Sequence, residues 1–126
     1  MTAVGLLRLE AHTGESRYGE HARTILRTLG GVAGKHAMSF GNLLWAIELH
    51  TLGVTEVVVT GDRPDLVQVL QSRFDPGSIL AWGEPGSGAL WEGRSATGSD
   101  GVAYVCRNQA CGTPAASAAE LLAQLD

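Results

Sequence analysis

Between Val4 and Leu52 apolar residues recur at three- and four-residue intervals, and from Val54 onward they gather in short blocks instead. Val4, Leu7 and Ala11 share one helical stripe with Leu6 and Leu9 beside it, and Gly14 stands where a left-handed cap belongs. A helix is predicted over Thr2 to Thr13. Tyr18, Ala22, Ile25, Leu26 and Leu29 repeat with the same period and predict a second helix that Gly30-Gly31 ends. The polar turn between them makes an antiparallel helical hairpin. Ser39 is the expected N-cap of a third helix carrying Leu43, Leu44, Ala46, Ile47 and Leu49 and stopped by Gly53. That helix is apolar on more than one side, which suits a body larger than two neighbouring helices supply.

The period then changes. Val57-Val58-Val59 is a β-branched run too continuous for a half-exposed strand, so Val54 to Thr60 is placed in a parallel sheet covered on both faces. Gly61-Asp62-Arg63-Pro64 turns into a helix with Leu66, Val69, Leu70 and Phe74 as its buried stripe, the turn's Asp or Arg being the expected source of its cap. Asp75-Pro76-Gly77 stops that helix, and Ser78 to Trp82 completes a right-handed strand-helix-strand unit. Gly83 to Gly101 is rich in glycine and reads as a loop with a short ordered piece at Ala89-Leu90-Trp91. A further strand follows over Val102 to Cys106. Ser117-Ala118-Ala119-Glu120 is a capping box that opens a final helix through Leu125. The fold class is therefore α/β in the α+β sense. It comprises a helical segment over 1–53 and a small α/β segment over 54–126, together expected to form one compact unit.

Composition narrows the partners. The 126 residues carry nine Lys plus Arg against thirteen Asp plus Glu, a net charge of −4 without long blocks of either sign. This argues against nucleic acid and anionic membranes, both of which need a basic face. No apolar run approaches the ~20 residues that span a bilayer, and the N-terminus lacks a signal peptide's pattern, so a cytoplasmic protein is expected.

Both cysteines lie in Ala103-Tyr-Val-Cys-Arg-Asn-Gln-Ala-Cys111. Zinc would need more ligands than this pair supplies, and no histidine stands nearby; no metal or other cofactor is expected. Thioredoxin-type sites place two residues between the cysteines at a helix N-terminus, whereas here four follow a strand. A disulfide requires the two Cα atoms within about 7 Å. The reading favoured on burial habit and a reducing compartment is a pair of reduced, structural thiols. Cys106 and Cys111 remain the redox candidates, with Arg107 beside Cys106 as a cation able to favour a thiolate. Asp62, at the carboxyl end of a parallel strand, and Trp45 and Trp91, as sugar-stacking rings, are the ligand candidates. His12, His21, His36 and His50 lack metal-ligand spacing. Glycine-rich phosphate loops and nucleophile elbows are absent, and Ser87 and Ser99 lack the flanking elements an elbow needs. No catalytic residue is assigned, and the isolated chain is expected not to be an enzyme.

The same terminal segment, followed by Pro114 and the Glu120-Leu121 helix start, resembles the C-terminal end of the thioredoxin-domain-containing, spermatogenesis-associated (YyaL-like) protein family. Val57-Val-Val-Thr-Gly-Asp62, Leu90-Trp-Glu-Gly-Arg94, Leu7-Arg-Leu9, Thr13-Gly14 and Arg17-Tyr18 extend the resemblance over nearly the whole chain. It implies that the helices are the last hairpins of an α/α toroid of the six-hairpin-glycosidase type, and that the α/β part is a terminal cap. The family's thioredoxin-like domain and its active-site cysteines have no counterpart here. Met1 would fall inside or just before a toroid helix, so the chain is expected to be a truncated product or split-gene remnant of a protein linked to carbohydrate metabolism. Its implied partners are a second copy of itself or the missing remainder of the family protein. A small redox protein using Cys106 and Cys111 is the alternative, as is a carbohydrate-processing remnant drawing carboxylates from Glu48, Glu56, Asp62 and Glu92.

Overall fold

The computed structural model describes residues 2–95 and 100–126, so Ser99 lies outside the described residues. The chain divides into two units, Met1–Val54 and Thr55–Asp126. Its described residues form five α-helices and one four-stranded mixed sheet, the expected α+β class.

In the first unit, helix α1 (Thr2–Thr13) ends at Gly14, whose φ of 71° is the left-handed cap the sequence predicted. Helix α2 (Ser16–Lys35) does not stop at Gly30-Gly31 but runs on past both glycines. Ala33 on the following turn is fully buried, and the His36 N–H donates to the Val32 carbonyl 3.1 Å away. Burial on that turn offsets the roughly 1 kcal/mol that each glycine costs a helix. Ser39 is not a cap: it ends a 3-10 turn over Ala37–Ser39, and helix α3 (Gly41–Leu52) starts after Phe40, with no side-chain cap bond. The Phe40 carbonyl accepts from the Leu43 and Leu44 N–H groups instead. Gly53 ends α3 with φ 84°. All three helices pack against one another around Ala3, Val4, Leu7, Ala22, Ala46 and Leu49, where the alanines let backbones approach closely.

The second unit is built on strand β1 (Thr55–Thr60), which pairs in parallel with β2 (Ser78–Gly83) and antiparallel with β3 (Ala103–Arg107). A two-residue strand β4 (Ala110–Cys111) completes the order β2-β1-β3-β4. The sheet is therefore mixed, not purely parallel, because β3 returns from a long loop rather than through a crossover helix. Alternation sends Val57 and Val59 to one face, where they meet helices α4 (Pro64–Gln71) and α5 (Ala118–Leu125) through Leu66, Val67 and Leu121. Glu56, Val58 and Thr60 take the other face. The continuous valine run thus serves a strand covered on both sides, as predicted.

Phe74 is a correction. Helix α4 ends at Gln71, so Phe74 falls past the last turn and is 95% exposed, while Val67 takes a core place that the periodic stripe did not assign to it. Pro64 occupies the first turn as expected, but Arg63 at the cap position makes no side-chain cap bond. Its guanidinium instead donates to the carbonyls of Gly101 (2.9 Å) and Ala116 (2.8 Å) and to both carboxylate oxygens of Asp65. Those hydrogen bonds from Arg63 hold the exposed Asp65 carboxyl below the usual range. The capping box forms: Ser117 Oγ accepts from the Glu120 N–H at 3.3 Å, and Glu120 Oε2 accepts from the Ala116 N–H at 2.7 Å, one residue upstream of the cap.

Candidate functional site

The strand registers place residues of the second sheet face in one row: Ile79 beside Glu56 in the parallel pair, and Glu56 beside Cys106 and Cys106 beside Cys111 in the antiparallel pairs. Cys106 and Cys111 are joined as a disulfide across a Cα separation of 4.0 Å. This corrects the expectation of two reduced thiols in a structural loop. The reason is the turn. Arg107 and Ala110 face each other across Asn108-Gln109, both with left-handed backbone (φ 50° and 66°), which is a two-residue type I′ hairpin. The Gly112 N–H donates to the Val105 carbonyl at 3.0 Å, so residues 105 and 112 form a hydrogen-bonded pair and 106 and 111 the close, non-hydrogen-bonded pair next to it. Four intervening residues are the number that sets two cysteines directly opposite each other in such a hairpin.

Gln109 is a poor fit to its turn position, since a side chain in the left-handed region costs ~1–2 kcal/mol and glycine does not pay that penalty. Gln109→Gly should therefore raise the stability of the second unit by roughly 1 kcal/mol, read as a higher urea midpoint with an unchanged slope. A lower midpoint would contradict the type I′ assignment.

The cation of the site is Arg94, not Arg107. Neighbouring strand residues point to opposite faces, and Arg107 reaches across to Thr55 Oγ1, donating from Nε (3.1 Å) and Nη2 (2.7 Å). Arg94 comes from the glycine-rich stretch after β2, where Leu90 is buried and tight turns set the Trp91 N–H on the Gly88 carbonyl and the Arg94 N–H on the Trp91 carbonyl. Its Nη1 donates to the Leu90 carbonyl at 2.6 Å, and its Nη2 donates to Glu56 Oε2 at 2.7 Å and lies 3.7 Å from Cys111 Sγ. Arg94 is only 8% exposed, and its Nε–H has no partner among the described residues. One buried guanidinium thus spans the row from the carboxylate to the disulfide. Tyr104 Oη, donating to the Ser95 carbonyl at 2.7 Å, ties the same stretch to β3.

The two cysteines are unequally buried: Cys106 is 1% exposed, and Cys111 is an exposed residue at the surface. Sequence reasoning gave Arg94 no chemical role, placing it in a loop and in the Leu90–Arg94 run of the resemblance, and listed Glu56 only as a carboxylate for sugar chemistry. Glu56 is engaged by Arg94 rather than available as an acid or nucleophile. Asp62 is exposed at the end of β1, and the Trp82 indole N–H donates to the Gly61 carbonyl there at 3.0 Å. Trp91 is half-buried in the loop, and Trp45 belongs to the first unit, half-buried with the Arg8 guanidinium 6.0 Å above its ring. His12, His21, His36 and His50 are all exposed, and no group of three metal-ligating side chains occurs among the described residues. No helix is long and apolar enough to cross a membrane among those residues. No family model, curated protein or solved structure matches the chain.

Proposed function

We propose that the chain works as the C-terminal portion of a thioredoxin-domain-containing protein of the YyaL-like, six-hairpin-glycosidase-like kind, non-catalytic by itself. In this reading the helical unit seats against further helices, and the α/β unit is a cap carrying the disulfide hairpin. The observation that carries it is the apolar surface of the helical unit: Leu9 on α1, Leu29 and Val32 on α2, and Leu44 and Leu52 on α3 are all exposed, Val32 at 47% and Leu52 at 56%. Single exposed leucines are ordinary, but large ones on every helix of so small a unit suit a face that another body covers. The resemblance over Leu7 to Tyr18 and over Ala103 to Cys111 supports the same reading from the sequence side.

The expected behaviour of the chain alone is concentration-dependent self-association in sedimentation velocity, together with binding of a dye that reports apolar surface. Leu52→Glu combined with Val32→Glu should return it to a monomer with its helix content intact. A wild-type chain that sediments as a single sharp monomer and binds no dye would overturn the reading.

A further inference from the structure

We propose that Cys106–Cys111 is a thiol–disulfide exchange site, opened at its solvent-facing member Cys111 by the thiolate of a dithiol, with Arg94 as the positioning residue for the charge that develops on sulfur. The proposal stands on the second unit alone and does not depend on the larger-protein reading. Three features of the site converge on it.

The first is asymmetry. Thiol–disulfide exchange needs a nucleophile to approach one sulfur along the S–S axis, so access decides which sulfur is attacked. Cys106 is buried in the sheet, whereas Cys111 lies on the two-residue edge strand at the surface. The second is the cation. Negative charge in each displacement gathers on the attacking and leaving sulfurs, and the Arg94 Nη2 stands 3.7 Å from Cys111 Sγ, the sulfur that leaves as a thiolate when the mixed disulfide is resolved. A disulfide that only pinned a hairpin would need no buried guanidinium beside it. The third is unspent donor capacity: the Arg94 Nε–H is buried without a partner among the described residues, and a thiolate accepts hydrogen bonds far better than a disulfide sulfur. Glu56 holds the guanidinium over the row and keeps the oxidised site neutral.

The chemistry balances as two displacements. The partner's thiolate attacks Cys111 Sγ; the S–S bond breaks, and Cys106 leaves as a thiolate and takes a proton from water. The partner's second thiolate then attacks the partner's own sulfur in the mixed disulfide, forming a disulfide within the partner and releasing Cys111 as a thiolate beside Arg94. Two electrons pass from the dithiol to this chain, and no other oxidant or reductant is required. A dithiol fits better than a monothiol because its second sulfur resolves the mixed disulfide intramolecularly.

The test uses the oxidised full chain at neutral pH with dithiothreitol as the dithiol and glutathione as a monothiol, quenched by acid and mapped by mass spectrometry after alkylation. Dithiothreitol should open the disulfide without denaturant, and the glutathione adduct should sit on Cys111. The paired substitution Arg94→Met with Glu56→Met, which replaces the ion pair by side chains of similar volume, should slow opening about tenfold with unchanged circular dichroism. Arg94→Lys with Glu56 retained should recover most of the rate. An adduct on Cys106, a requirement for denaturant, or a wild-type rate in the doubly substituted chain would overturn the proposal. If that variant does not fold, Cys106→Ser supplies the decision: its Cys111 thiol should alkylate with a midpoint below the ~8.5 of a free cysteine, and a midpoint at or above that value sinks the idea.

Discussion

Replacing Gly101 by alanine should destabilise the second unit by about 3 kcal/mol or more, enough to lower its thermal midpoint by roughly 12–24 °C. Two independent costs add at this residue. Its φ of +76° is open to glycine but costs a residue with a Cβ about 1–2 kcal/mol. The Cβ would also fall far inside the van der Waals contact distance of the Thr60 carbonyl oxygen, a backbone atom that cannot swing aside. Moving either chain would break what holds the end of the sheet: the Thr60 N–H donating to the Val102 carbonyl at 2.9 Å, and the Val102 N–H donating to Thr60 Oγ1 at 3.0 Å. It would also disturb the Gly101 carbonyl, which accepts from Arg63. The control is Gly31→Ala inside α2, where nothing lies within 4 Å of the added atom and the backbone is helical. There the same change should stabilise by about 0.5–1 kcal/mol. Equilibrium urea unfolding of both variants checks the pair, and a neutral Gly101→Ala would show that the β1 and β3 ends are not packed as described.

The elements legible from the sequence were those in which one local signal decides the outcome. Gly14 and Gly53 end helices because left-handed backbone after a helical stripe needs no tertiary help, and Val57-Val58-Val59 marks a strand covered on both faces because no exposed face tolerates such a run. Where two signals competed, the local one lost. Gly30-Gly31 carries a breaker's propensity, yet burial of Ala33 one turn later carries α2 onward. Phe74 fits the stripe of α4, but that helix ends before the stripe does. The disulfide was written in the spacing Cys-Arg-Asn-Gln-Ala-Cys, since two turn residues and one flanking pair leave the cysteines opposed; reading it required recognising Asn-Gln as a type I′ turn without its usual glycine. Arg94 was the least legible, because a glycine-rich context says where a chain bends and not what the bend carries across a sheet.

Truncating Leu121 to alanine should cost the second unit about 2–5 kcal/mol, and its effect should be felt along the whole C-terminal segment. An eight-residue helix does not persist alone in water, so α5 exists because it docks. Leu121 is its one fully buried side chain, set among Val57, Val59, Leu66 and Ala103. The remaining ties are weaker: the Ser117 cap, the Gln124 amide donating to the Thr113 carbonyl at 2.7 Å, and an exposed ion pair between Arg73 and Asp126 at 2.9 Å. Ser117→Ala should therefore cost only about 1 kcal/mol, and Leu122→Ala, on the exposed side, less than that. The larger loss in Leu121→Ala should appear in hydrogen exchange as faster exchange over residues 113–126 and at the Ala115 N–H, which donates to the Ala103 carbonyl at 2.8 Å. Because the row from Glu56 to Cys111 occupies the opposite face of the sheet, the hairpin and its disulfide should survive undocking of α5. Loss of protection in the Val105 to Gly112 pairing before that in α5 would invert this order, and would mean that the hairpin depends on the helix rather than on its own turn and cross-link.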